Sequence, residues 1–298
     1  MKQWGIILIP LLLLSACTQQ PITEITDTPI NVYFCEQTDC DKILAEHINN
    51  SENANCALYS LTSNTVKEAL KNKNARIVID YRNKKQATGL QYKSIYQEKA
   101  AMHNKFCIID NKIITGSYNP HSQTANNMII IPSPTLAHNY LEEFNELWGT
   151  TKSRKTKNTR IYLNTTLIEN YFCPEDNCKE KVTGTISAAN KSIHFMTYSF
   201  TDDKIGRILL EKSRKITVKG IFDKSQINKW SEHPKLKNLA VAKKGIHHKV
   251  FIVDENIVIT GSANPTSNGY TKNDENIIII HDKNIAKEFL REFNSLNE

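Results

Sequence analysis

The residues with chemical potential come in two matching stretches. Residues 246–264 read IHHKVFIVDENIVITGSAN, placing His247, Lys249 and Asp254 in the spacing H-x-K-x4-D, with Gly261, Ser262 and Asn264 following as G-S-x-N. Residues 102–119, MHNKFCIIDNKIITGSYN, repeat the pattern with His103, Lys105, Asp110, Gly116, Ser117 and Asn119. The apolar run 250–253 reads as a buried strand, and side chains alternate along a strand. His247 and Lys249 therefore share a face, as do His103 and Lys105. An imidazole beside an ammonium suits attack on a phosphate, one group reacting while the other holds anionic oxygens. Asp110 and Asp254 complete the motif and count with the catalytic set. Their odd spacing from the histidines turns them away, so they read as buried acceptors behind the strand.

Positioning these groups requires a scaffold that occurs twice. In residues 31–150, Tyr33-Phe34-Cys35 opens a unit. Strands are expected at 57–61, 75–80 and 127–131, with helices at 65–72 and 138–148. Residues 161–298 repeat the order: Tyr171-Phe172-Cys173, then strands at 192–200, 216–223 and 276–281 and helices at 203–213 and 285–296. Polar inserts at 82–99 and 225–244 precede the two motifs, and the basic stretch 151–160 is the natural linker. Strands alternating with helices imply an α/β protein of two pseudo-symmetric α-β-α halves with mixed sheets.

The paired H-x-K-x4-D and G-S-x-N motifs resemble the phospholipase D superfamily of phosphodiesterases, over nearly the whole of the chain beyond residue 30. The resemblance implies one site built from both halves, with no metal and no cofactor. One histidine attacks phosphorus to form a phosphohistidine, and the other protonates the leaving alkoxide and then activates water. Lys105, Lys249, Asn119 and Asn264 would hold the non-bridging oxygens, with Ser117 and Ser262 adding hydroxyl contacts. Glu275 stands where the family places an acid on the catalytic imidazole, whereas the first copy has Asn126 there. Our expectation is therefore that His247, backed by Glu275, is the nucleophile and His103 the general acid. The loop from Gly116 to Asn126 is also four residues shorter than that from Gly261 to Glu275.

Lys2, the apolar run 6–14 and the sequence Leu-Ser-Ala-Cys ending at Cys17 resemble a prokaryotic lipoprotein signal. That implies cleavage after residue 16, lipidation of Cys17, a polar tether over 17–30 and an extracytoplasmic, membrane-anchored location. Outside the cytoplasm, Cys35 with Cys40 and Cys173 with Cys178 are expected as local disulfides, and a four-thiolate zinc site is the competing reading. Cys56 and Cys107 lie in apolar, strand-like runs, where buried free thiols are the default and a bridge is the alternative. A net charge of +7, with basic runs at 152–160, 212–219 and 235–244, suits nucleic acid or an anionic membrane. Nucleic acid is the leading substrate class and a phospholipid headgroup the runner-up, with transfer to an alcohol and a non-catalytic phosphate-binding module behind them. No obligate protein partner is expected, since one chain carries both half-sites. His248 reads as a packing or surface residue, and Trp148 and Trp230 as packing.

Overall fold

The computed structural model describes residues 21–120 and 124–298. The proposed lipidation site Cys17, and His121, which neighbours the first motif's loop, lie outside the described residues. The first half contributes β2 (Asn31–Phe34), α1 (Cys40–Asn49), β3 (Ala54–Leu58), α2 (Asn64–Asn72), β4 (Arg76–Asp80), β5 (Gln91–Ile95), β6 (Lys105–Ile109), β7 (Lys112–Gly116), β8 (Asn127–Ile131) and α3 (Pro134–Trp148). The strands form a seven-stranded mixed sheet in the order β2-β8-β7-β6-β3-β4-β5. The second half contributes β9 (Arg160–Leu163), β10 (Thr166–Cys173), α4 (Cys178–Ser187), β11 (Ser192–Thr197), α5 (Asp203–Lys212), β12 (Thr217–Asp223), α6 (His233–Leu236), β13 (Ala240–Lys243), β14 (Lys249–Val253), β15 (Ile257–Gly261), α7 (Ser267–Thr271), β16 (Glu275–His281) and α8 (Lys283–Asn297). Its sheet runs β1-β9-β10-β16-β15-β14-β11-β12-β13, where β1 is Ile22–Glu24. The fold is thus mixed α/β, built twice.

Burial explains the layering. On β6, Phe106 and Ile108 face a central core shared with α3 and α8, while Cys107 and Ile109 face the outer core under α1 and α2. On β14, Val250 and Ile252 face the same central core, while Phe251 and Val253 join the outer core of α4 and α5. The two long helices start at well-defined caps. Ser133 accepts from Leu136 N–H ahead of Pro134, and Asp282 accepts from Asn284 and Ile285 N–H.

Three features depart from expectation. The polar inserts each hold a parallel strand, β5 beside β4 and β13 beside β12, so they extend the sheets rather than loop away from them. Part of the expected tether is structural as well. Ile22–Glu24 pairs in parallel with β9, and the Glu24 carboxylate accepts from Ser133 Oγ and Thr135 N–H at the start of α3. Cys56 and Cys107 are not free thiols. They are register partners on antiparallel β3 and β6, with Cα atoms 4.1 Å apart, and they form a disulfide. Cys35–Cys40 and Cys173–Cys178 form the two local disulfides.

Candidate active site

Each half delivers its histidine by the same local device. The chain enters β6 through Met102, whose N–H donates to the Asp80 carboxylate at 3.1 Å, and enters β14 through Ile246, whose N–H donates to Asp223 at 3.0 Å. Both carboxylates are almost fully buried at the ends of β4 and β12. The lysine two residues on folds back over its histidine. Lys105 Nζ donates to His103 O at 2.9 Å and lies 3.0 Å from His103 Nε2; Lys249 Nζ donates to His247 O at 2.6 Å and lies 3.2 Å from His247 Nε2. A tyrosine at the end of each adjacent segment packs on the imidazole. Tyr59 and His103 centroids are 4.8 Å apart, Tyr198 and His247 centroids 4.9 Å.

The halves meet at these histidines. His103 N–H donates to Asp274 O at 2.9 Å, and His247 N–H donates to Ala125 O at 2.9 Å. The next residue along each bridging segment therefore reaches the opposite half's imidazole. Glu275 places both carboxylate oxygens 2.8 Å from His103 Nδ1. Asn126 places Oδ1 2.6 Å from His247 Nδ1. This corrects the expected pairing, because Glu275 backs His103 and not the His247 of its own half. The reason is the bridge between Met102 and Asp274, which joins the entry to β6 to the entry to β16 across the pseudo-twofold axis.

Both Nδ1 atoms face oxygen acceptors, which favours the tautomer with the proton on Nδ1, although Lys249 Nζ also lies 3.3 Å from His247 Nδ1. Each Nε2 is then a lone-pair site when the ring is neutral. Burial pulls the His103 imidazole down to about 4, with Glu275 pulling the other way and Lys105 reinforcing the fall. Burial likewise pulls the Lys105 ammonium down to about 7, opposed by Glu275 and Asp80. Lys249 is held well below the ordinary lysine value by burial and by the charge of Lys105.

His103, His247, Asn119, Tyr59 and Tyr198 line one open pocket of about 690 Å³, with Lys224 and Lys244 on its wall. The Asn119 Oδ1 is buried without a hydrogen-bond partner. Other expected site residues serve the frame. Asp110 accepts from Glu52 and Asn53 N–H, and Asp254 from Asn190, Lys191 and Ser192 N–H, each pinning the start of a neighbouring strand. They are acceptors as expected, but at the far hairpin turns with φ of 51° and 54°; Asp110 is exposed and Asp254 half-buried, and neither reaches the reacting groups. The Ser117 and Ser262 hydroxyls accept from Asn127 N–H at 3.0 Å and Asn276 N–H at 2.9 Å, so they tie β7 to β8 and β15 to β16 instead of facing a phosphate. Asn264 Oδ1 accepts from Ser199 N–H at 3.3 Å.

His248 is a core residue. Its Nε2 lies 3.3 Å from Glu292 on α8, as Asn104 in the first half donates to Glu143 on α3 at 3.0 Å. Trp148 stacks on Phe144, whereas Trp230 is 71% exposed, so only the former packs. Sequence reasoning missed Tyr59, Tyr198, Asp80 and Asp223. The internal repeat held the signal: Tyr-Ser recurs at 59–60 and 198–199, and an aspartate closes β4 and β12.

Paired histidine–lysine half-sites meeting between two α/β halves are the arrangement that the phospholipase D resemblance implies. A family model described as cardiolipin synthase, PLD-like domain, matches residues 30–148 and 182–297, and the chain belongs to that phospholipase D-like family. It is 32% identical over 134 residues to a phospholipase D of Rickettsia bellii, covering 42% of this chain and 66% of that protein. It is 30% identical over 151 residues to a mitochondrial cardiolipin hydrolase of Xenopus laevis, covering 45% of this chain and 72% of that protein. The crystal structure of a phosphatidylserine synthase from Haemophilus influenzae shares the fold, with a TM-score of 0.66 and 11% identity over 94% of this chain and 87% of that one.

Proposed function

We propose that the chain is an exported, lipid-anchored phosphodiesterase that cleaves nucleic acid through a phosphohistidine, with His103 as the nucleophile and His247 as the acid and then the base. The observation that carries the role assignment is the Glu275 carboxylate on His103 Nδ1. The His103 Nε2 lone pair attacks phosphorus, and the bond to the leaving oxygen breaks as protonated His247 gives that oxygen its Nε2 proton. His247 then takes a proton from water, whose oxygen attacks phosphorus, and the P–N bond breaks to return the electron pair to His103. Lys105, Lys249 and Asn119 would receive the non-bridging oxygens as charge develops. This reverses the expectation that made His247 the nucleophile.

The nucleic-acid reading rests on the rim of the pocket. Lys224 and Lys244 flank it, Arg82 sits beside Tyr59, and the segment 224–246 carries six lysines against a single acidic residue, Glu232. Such a surface tracks a phosphate backbone, with affinity that falls as salt rises. The lipid reading draws on the names of the relatives in Rickettsia and Xenopus. It also draws on Trp230 beside the Lys229 ammonium, 4.9 Å from the ring, a pairing suited to a membrane interface. Export is supported by the three disulfides and by the Cys17 signal.

The test offers the fragment starting at Thr18, with chelator present, labelled single- and double-stranded DNA, RNA and phosphatidylcholine or cardiolipin vesicles in parallel. Nucleic-acid cleavage that His103→Asn and His247→Asn each abolish is the expected result. Headgroup release with intact nucleic acid would replace it by the phospholipase reading.

A further inference from the structure

The two catalytic histidines share most of their surroundings and differ in charge chiefly through the residue lent to each from the other half. Each has a lysine folded onto Nε2, a tyrosine against its ring and an aspartate holding the preceding N–H. Each lies beside a parallel bridge across the pseudo-twofold, Met102 with Asp274 and Ala125 with Ile246. The residue after each bridging position differs, Glu275 on His103 and Asn126 on His247. Both are buried, at 0% and 1% exposure, so water does not level the difference between them.

The Asn126 amide has a defined orientation. Its Nδ2 donates to Thr124 Oγ1 at 2.5 Å, while Oδ1 accepts from Ser117 Oγ at 3.3 Å and faces His247 Nδ1. The Ser117 carbonyl lies 3.2 Å from the same nitrogen. The two oxygens on His247 Nδ1 favour the same tautomer as in His103 but are neutral dipoles, and Lys249 Nζ lies 3.3 Å from the same nitrogen.

We propose that this lent residue, not the H-x-K motif itself, decides which histidine is phosphorylated. Glu275 makes His103 the nucleophile and Asn126 leaves His247 the proton carrier. The inference rests on the phosphohistidine reading above. Attack through Nε2 leaves the imidazole with a full positive charge while it carries the phosphoryl group. A carboxylate on Nδ1 neutralises that charge from the buried side of the ring, where water does not screen it, and an amide oxygen does so far less. The proton carrier has the opposite requirement. It must give up its proton to a leaving alkoxide, and an anion behind it would hold the proton back.

The other charges around the pair do not choose between the rings. Lys249 and Lys105 each fold over one histidine, and Lys249 also acts on His103. Asp223, Lys224 and Lys244 share the pocket wall. None of these changes when the lent residues are exchanged.

The experiment is therefore an exchange that keeps net charge and nearly keeps shape, Asn126→Asp with Glu275→Gln in one chain. An aspartate at 126 keeps an oxygen toward His247 Nδ1 and can accept from Thr124. A glutamine at 275 keeps an acceptor toward His103 Nδ1. Native protein and variant are quenched in alkali during turnover of bis(4-nitrophenyl) phosphate, and the phosphohistidine is mapped by peptide mass spectrometry. The native label is expected on His103 and the variant label on His247. The preference should change by at least about tenfold, because a carboxylate moved onto an imidazole shifts its proton affinity by roughly 1 unit or more.

Label that stays on His103 in the exchanged protein, or a folded variant with none, overturns the inference and leaves the covalent reading standing. Native protein that turns over without labelling either histidine sinks the covalent reading, and the inference with it. Asn126→Asp alone is the second arm if the exchange impairs folding. It should divide the label between both histidines and move the basic limb of the pH–rate profile upward by about 1 unit. Label confined to His103 with an unmoved limb would also refute the proposal.

Discussion

Lys105 brings four methylenes and an ammonium into a region from which water is nearly excluded, since the residue is 2% exposed. Burial draws its titration down to about 7, and Lys249 moves the same way. An ammonium so placed is charged below that pH and neutral above it. An anion in the pocket needs it charged, and in turn draws its pKa back up. Binding of inorganic sulfate, which does not titrate in this range, should therefore weaken as pH rises from 6 to 9, by up to about tenfold per unit above the midpoint. Proton uptake should accompany binding near pH 8. Calorimetry in buffers of different ionisation enthalpy measures both, and a flat affinity across that range would show that the lysines stay charged throughout. The His103 imidazole, drawn down to about 4, is neutral over the same range, and its Nε2 lone pair is available.

At the scale of the element, the G-S-x-N turns are devices for crossing from one strand to the next. Gly261 has φ of +139°, and a Cβ there would lie 2.2 Å from Asn276 O; Gly116 has φ of +138°, with Asn127 O at 2.3 Å. A side chain would push β16 or β8 away, and with it Glu275 or Asn126 at the strand's entry. Gly261→Ala is expected to cost about 2 kcal/mol or more in urea denaturation and to lower turnover as well. Gly245, at φ of +79°, has no atom within 4 Å of a built Cβ. Gly245→Ala should cost only about 1 kcal/mol. Equal losses at the two sites would mean that the crowding at Asn276 is not what requires glycine.

Across the whole molecule, the disulfides differ in reach. Cys56 and Cys107 are 51 residues apart and close a loop containing α2, β4 and β5, whereas the other two bridges each span 5 residues. In the chain-entropy account, Cys56→Ala with Cys107→Ala should cost about 4 kcal/mol, against about 2 kcal/mol for removing either local bridge. Denaturant titration of the double variants under oxidising conditions makes the comparison. A local bridge that mattered more would shift the weight to the turns that it ties. The central bridge joins β3 to β6 in the outer core behind His103, so its loss should also reduce activity before the chain unfolds.

What the sequence determined by itself was local. Short apolar runs marked β8, β12 and β16, and helical periodicity marked α2, α5 and α8, to within a few residues, because each element buries apolar side chains that its own residues specify. The H-x-K spacing put each lysine on its histidine's face for the same reason. Elements without such a pattern stayed hidden, as β1, β5 and β13 are held by pairing to a neighbour rather than by an apolar face of their own. Tertiary structure alone decided the pairings that cross long stretches of chain. Cys107 met Cys56 through strand register, and His248 met Glu292 through the seat of α8. Glu275 reached His103, 172 residues away, through a bridge between the halves. A motif fixes what its residues are and which way a strand turns them. Which half's carboxylate lies on which imidazole depends on how two hydrophobic faces pack together, and no local spacing carries that information.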